Sequence, residues 1–243
     1  MKHLAATITL GPFFFVQGHY VRRVTPALPE PPGARAGTHG NGPPLRLLIV
    51  GDSAAAGVGA LSQDQGLCGQ LVAFLAPHFR VAWKLIAKTG ATTNDTLRLL
   101  ASAARESFDV VVTSLGVNDL TSGYPRWAWL RKQTELIRLL QDKFNVRLIL
   151  LSGLPPMHLF PALPQPLRWY MGEGARHFNR GLHRLVLAND NCHVFSVEVS
   201  RRMDELQAES FATDGFHPGP VFYTAWAEHL AEQIVKRWRA DAL

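Results

Sequence analysis

Four short groups in this chain carry side chains suited to acyl chemistry. They are Ser53 in Gly51-Asp52-Ser53, Gly90 in Lys88-Thr89-Gly90-Ala91, Asn118 in Gly116-Val117-Asn118-Asp119, and Asp214 with His217 in Asp214-Gly215-Phe216-His217. Ester hydrolysis needs a nucleophile, a base to take its proton, a group to orient that base, and donors for the developing oxyanion. Ser53 supplies the hydroxyl and His217 the imidazole. Asp214, three residues before His217, can accept from the second ring nitrogen and fix the tautomer. The oxyanion donors would be the backbone N–H of Ser53, the backbone N–H of Gly90 and the side-chain amide of Asn118. Glycine lets a backbone approach substrate without a Cβ in the way, and an asparagine amide donates while staying uncharged. Asp52 and Asp119 read as carboxylates that brace their loops by accepting backbone N–H bonds.

Taken singly, each group has an ordinary reading. A serine after a strand is a turn residue or helix cap, Gly90 a helix-entry glycine, Asn118 a turn residue, and Asp-Gly-Phe-His a surface turn. Their order along one chain is far more specific. A two-metal phosphoesterase built on Asp52, Asn118, Asp119 and His217 is the weakest reading, and activity in excess EDTA would exclude it. A non-catalytic flavodoxin-like module that cradles a phosphate at Gly51 to Gly59 ranks above it but has a poor signal, because the stretch has neither of the glycine-rich phosphate motifs.

The ordered set resembles the SGNH (also called GDSL) hydrolase family of bacterial esterases and lipase-like acylhydrolases. The likeness runs from about Leu45 to the C-terminus and leaves the first 44 residues unmatched. Ala54 stands where the GDSL name expects Leu, which bears on subfamily rather than on catalysis. The resemblance implies hydrolysis of carboxylic esters or thioesters across lipids, acetylated sugars and small aryl esters, without metal or organic cofactor. It also implies a five-stranded, flavodoxin-like sheet.

The elements that must position these groups are legible in the hydrophobic pattern. Leu45 to Val50 is a nearly unbroken aliphatic run, interrupted by Arg46 and ending at Gly51, which reads as a strand buried on both faces of a parallel sheet. Asp52 and Ser53 then lie at a carboxyl strand end, where ligands bind in open α/β sheets. A helix is expected from Gln65 to Pro77, a strand from Arg80 to Ala87, a helix capped by Thr93 or Asn94 and running to about Ser107, and a strand from Phe108 to Leu115. A helix follows over Trp127 to Lys143 and a strand over Val146 to Leu151. The loop Gly153 to Pro166 holds five prolines among many apolar residues, and reads as either an acyl-binding wall, with Leu154, Met157, Leu159 and Phe160 as contacts, or a loop packed on its own core. A helix over Gly172 to Asn189, a strand over His193 to Val197, a short helix near Arg201 to Gln207 and a last helix over Val221 to Arg239 complete the chain. This alternation predicts an α/β fold of three αβα layers with helices on both faces.

The 243 residues suffice for one substantial core, with 47% hydrophobic and 18% charged residues arguing against wholesale disorder. The net charge of +6 is dispersed, so nucleic acid is not expected as a partner. Cys68 and Cys192 are too few for a disulfide framework and read as small buried apolar residues; no metal-ligand spacing is present. Residues 1–24 read as an apolar arm or interfacial anchor, 25–44 as a Pro/Gly-rich linker, and 45–243 as the catalytic domain. The apolar stretch Leu4 to Val16 is about 13 residues, short of the roughly 20 that span a bilayer. Arg22 and Arg23 follow it, which favours the cytoplasmic side with peripheral membrane contact through residues 4–23. An atypical signal peptide, giving a periplasmic or secreted protein, is the alternative. The expected partner is a small-molecule or lipid ester.

Overall fold

The computed structural model describes residues 2–195 and 210–240. Its centre is β2 (Pro44–Gly51), flanked on one side by β3 (Arg80–Ala87) and on the other by β4 (Val110–Ser114), β5 (Leu148–Ser152) and β6 (Cys192–Phe195). These five strands run parallel. Numbered among themselves they take the order 2-1-3-4-5, the flavodoxin-like arrangement. The expected architecture holds, with one correction: the sheet has six strands rather than five. The sixth is β1 (Ala36–His39), antiparallel to β3 at the edge and inside the segment read as a linker. All four of its residues are exposed, so it has none of the apolar alternation by which strands are recognised.

Successive side chains of β2 enter opposite cores, as the strand period requires. Leu45, Leu47 and Ile49 pack with Val110, Val112, Leu148 and Leu150 beneath α2 (Leu67–Leu75) and α7 (Pro220–Ala240). Leu48 and Val50 pack with Val111, Ile149 and Leu151 beneath α3 (Thr93–Ser102), α5 (Arg126–Phe144) and α6 (Leu167–Val186). Each fully buried aliphatic side chain contributes roughly 1.5–3 kcal/mol. An exposed pair such as Arg98–Asp95 contributes about 0–1 kcal/mol. The two cores, and not surface charge, hold the loops in place.

Strand register sets where the loops emerge. Gly51 pairs with both Ala87 and Ser114, and Ser114 with Ser152. The residues that follow, Asp52-Ser53, Lys88 to Gly90, Leu115 to Asn118 and Gly153-Leu154, therefore leave the sheet side by side. They surround the gap between β2 and β4, where the strand order reverses.

Several boundaries differ from expectation. The cap of α3 is Thr92, in a capping box with Asp95. The helix stops at Ser102, where Lys143 Nζ donates to the last carbonyls, Leu100 O at 2.9 Å and Ala101 O at 2.7 Å. The Pro-rich loop holds a 3-10 turn at Met157–Leu159, and α6 begins at Leu167 instead of Gly172. Cys68 and Cys192 are both buried. The short helix expected near 201–207, and the end of the strand expected to reach 197, lie outside the described residues.

The N-terminal stretch forms α1 (Lys2–Val24), which contains Pro12. Phe14 stacks on Tyr170 with ring centroids 4.3 Å apart, Gln17 exchanges hydrogen bonds with Gln165 O and Leu167 N, and Arg22 donates to Thr121 O. Among the described residues, no helix is long and apolar enough to cross a membrane.

Candidate active site

Ser53 sits in a tight turn closed by Ala56 N donating to Asp52 O at 2.9 Å and Val58 N donating to Ser53 O at 3.0 Å. The turn is fastened from outside. Tyr223 of α7 donates its hydroxyl to Val58 O at 2.7 Å, and Gln63 Nε2 donates to Ala56 O at 2.9 Å. Gly59, at φ +100°, lies so near the loop of His217 that a Cβ there would stand 2.2 Å from Pro218 O. Only glycine lets the two loops meet this closely.

Across that contact, His217 Nε2 lies 2.9 Å from Ser53 Oγ, and His217 Nδ1 lies 2.5 Å from Asp214 Oδ2. The Asp214 side chain is fully buried. Its other oxygen accepts from Phe216 N and His217 N, each at 2.9 Å. Burial alone would raise the Asp214 pKa, but these donors and the imidazole hold it below the usual carboxylate range. A carboxylate at that position assigns the proton to Nδ1 and leaves Nε2 as acceptor for the serine hydroxyl. This is the geometry in which a serine hydroxyl can be deprotonated as it attacks a carbonyl.

The remaining two groups adjoin this relay. Asn118 Nδ2 donates to Ala91 O at 3.0 Å and, more weakly, to Asp52 Oδ2 at 3.4 Å. The amide thus bridges the residue after Gly90 and the residue before Ser53. Gly90 has φ +77°, and a Cβ there would meet nothing within 4 Å. Within the protein it is the left-handed backbone conformation that calls for glycine at this position. Asp52 and Asp119 brace their loops as expected: Asp52 Oδ1 accepts from Ala54 N at 3.1 Å, and Asp119 Oδ2 from Thr93 N at 3.1 Å and Thr93 Oγ1 at 3.0 Å. Complete burial pushes Asp52 up to about 7, with the Ala54 N–H pulling the other way. Burial likewise raises Asp119.

Residues 49–225 match the model of the GDSL-like Lipase/Acylhydrolase family, well over half of the chain. The chain belongs to that family. No curated protein matches it closely enough to be called a relative. Solved structures share its fold at low identity. The esterase EstA from Pseudoalteromonas sp., in a structure inhibited by monoethylphosphonate, is 19% identical with TM-score 0.61, covering 80% of this chain and 98% of its own. The acetylxylan esterase Axe2 from Geobacillus stearothermophilus is 17% identical with TM-score 0.59, covering 79% and 95%. Est24, a carbohydrate acetylesterase from Sinorhizobium meliloti, is 17% identical with TM-score 0.55, covering 79% and 99%.

In this GDSL-like acylhydrolase a cavity of about 50 Å³ opens beside Ser53 and His217. Leu154 and Phe160 line it, as the sequence led us to expect. Met157 and Leu159 do not. The 3-10 turn sends Met157 into the core at 0% exposure and leaves Leu159 outward at 51%. The walls missed from the sequence include Phe211, Phe216, Phe222 and Trp226. Phe216 adjoins His217 and could have been found from that alone. Phe222 and Trp226, four apart at the start of α7, carry the same helical spacing as ordinary core residues.

Proposed function

We propose that this chain is a serine esterase that cleaves carboxylic esters of short to medium acyl chains, lipid esters and thioesters included, through an acyl-enzyme on Ser53. The observation that carries this reading is the unbroken relay from Ser53 Oγ through His217 to Asp214, at 2.9 and 2.5 Å. His217 Nε2 takes the Ser53 proton as Oγ bonds to the carbonyl carbon. The oxygen, now negative, is held by the N–H groups of Ser53 and Gly90 and by the Asn118 amide. Collapse expels the alcohol, which leaves with the proton from Nε2. A water activated by the same nitrogen then releases the acid and restores Ser53.

Cavity size favours the short end of the range. An apolar cavity of roughly 150 Å³ takes a benzene ring, and this one is about 50 Å³ with Phe160, Phe211 and Phe216 as walls. With p-nitrophenyl esters we expect kcat/KM to be highest between acetate and butyrate and at least about tenfold lower for octanoate. Phe160→Ala should move the optimum towards longer chains. Octanoate hydrolysed as well as acetate by the unchanged protein contradicts this assignment. A second reading, deacetylation of a saccharide, is favoured by the open trough of mixed polarity beside Gly90, where Thr89, Asp95, Arg98 and Ser102 stand with Leu99. An acetylated xylo-oligosaccharide preferred over p-nitrophenyl acetate in kcat/KM would select it.

The lipid reading rests on α1. Its face beside the one that meets α6 exposes Phe13, Val16, Tyr20 and Val24, at 50–63%, and residues 2–24 include Arg22 and Arg23 but no acidic residue. We propose that this face lies on an anionic lipid surface, with the apolar stripe at the acyl boundary and the cations at the headgroups. Co-sedimentation should be at least tenfold stronger with vesicles containing phosphatidylserine than with phosphatidylcholine alone, and the triple change Phe13→Ser, Val16→Ser, Tyr20→Ser should abolish it. Equal retention on both vesicles, or a dimer formed through this face in place of lipid binding, overturns the proposal.

A further inference from the structure

The turn that carries Gly90 has almost no packing of its own. Ala91 N donates to Lys88 O at 3.1 Å, and Gly90 at the third position has φ +77°, so Lys88 to Ala91 form a type II turn. Type I and type II turns differ by a flip of the peptide between the two central residues, here Thr89 and Gly90. That peptide contains the Gly90 N–H. Its direction is therefore a matter of which way the turn is locked, and Lys88, Thr89 and Gly90 are all exposed.

Thr89, whose ψ sets the direction of that peptide, is held from its N–H and hydroxyl by the N-terminal segment. Glu30 Oε1 accepts from Thr89 N at 2.7 Å and from Thr89 Oγ1 at 2.8 Å. Its second oxygen accepts from Arg35 at 2.7 Å, and Arg35 also donates to Ala87 O, just before the turn. The segment is tied equally to the nucleophile turn. Gln63 N donates to Pro32 O at 2.9 Å, and Gln63 Nε2 donates both to Pro31 O at 3.1 Å and to Ala56 O at 2.9 Å. One stretch thus grips the loop of Gly90 with its carboxylate and the loop of Ser53 with its backbone. Burial of Glu30 works against its charge, but the Thr89 and Arg35 donors outweigh that and keep it ionised. Glu30, Pro31, Pro32 and Arg35 all lie outside the matched family region, 49–225.

We infer that Glu30 is a positioning residue for ester hydrolysis: by fixing Thr89 it holds the Gly90 N–H towards the oxyanion, so residues 30–35 are a working part of the active site rather than a linker. This rests on the reading of Gly90 as an oxyanion donor. Such a donor acts in the transition state and little in the ground state, so its misalignment lowers kcat and leaves KM nearly unchanged.

The test compares Glu30→Ala, Glu30→Gln and Thr89→Val in the full chain with p-nitrophenyl acetate. Glu30→Ala should lose about 10- to 100-fold in kcat with KM within twofold. Glu30→Gln, which keeps an acceptor for Thr89, should recover most of the loss. Thr89→Val, which removes one of the two bonds to Glu30, should lose roughly threefold to tenfold in kcat and carries the test if Glu30→Ala does not fold. The inference is overturned if the folded variants keep kcat within twofold, if KM rises in step with the fall in kcat, or if Glu30→Gln is as impaired as Glu30→Ala. Ser53→Ala run in parallel separates the two layers. An inactive Ser53→Ala beside a normal Glu30→Ala removes only this inference, whereas an active Ser53→Ala removes the serine mechanism beneath it.

Discussion

Replacing Ser53 by alanine is expected to lower kcat for ester hydrolysis by roughly four to six orders of magnitude while the protein stays folded. The side chain makes one bond of consequence, to His217 Nε2 at 2.9 Å, and the turn around it is held by backbone bonds and by Tyr223, all of which survive the change. What disappears is the oxygen that accepts the acyl group. The activity that remains would come from water attacking a carbonyl still polarised by the oxyanion donors. Initial rates and thermal unfolding on the same preparation check both halves of the expectation. Retention of more than about a tenth of kcat would remove Ser53 from the mechanism.

Asn118→Ala carries the second largest expected effect, a fall of roughly a hundred- to a thousandfold in kcat with little change in KM. In the resting protein the amide spends its hydrogens on Ala91 O at 3.0 Å and on Asp52 Oδ2 at 3.4 Å. The second bond is long, so an oxyanion, which bears full charge, competes for that hydrogen at little cost. Binding of the neutral ester offers no comparable gain, and the loss should therefore fall on kcat. A variant whose kcat stays within about threefold of the parent would show that the oxyanion is held by backbone N–H groups alone. A rise in KM matching the fall in kcat would point to a ground-state contact instead.

Much of this was legible in the chain because both the sheet and the chemistry constrain residue type. The run Leu45 to Val50 announced itself as a central strand because both of its faces are buried from Leu47 onward, and its one charged residue, Arg46, sits at the exposed start where it pairs with Asp109. Ser53, Asn118, Asp214 and His217 stood out because acyl transfer admits few substitutes at each role, and register then brings their loops together. The rest depends on tertiary context. Strand β1 is exposed along its length, so its pairing with β3 leaves no mark on the pattern. Met157 and Leu159 are equally apolar, and only the orientation of a 3-10 turn sends one to the core and the other to solvent. Glu30 sits among prolines and looks like a solvated charge until its bond to Thr89 is seen.

The account is tested most directly by locating the covalent bond it requires. After exposure to a fluorophosphonate at neutral pH, peptide mapping by mass spectrometry should find one stoichiometric adduct on the peptide bearing Ser53, formed at least a hundredfold more slowly in His217→Ala. An adduct on another residue, or an unmodified Ser53 in protein whose esterase activity the reagent has abolished, would contradict it.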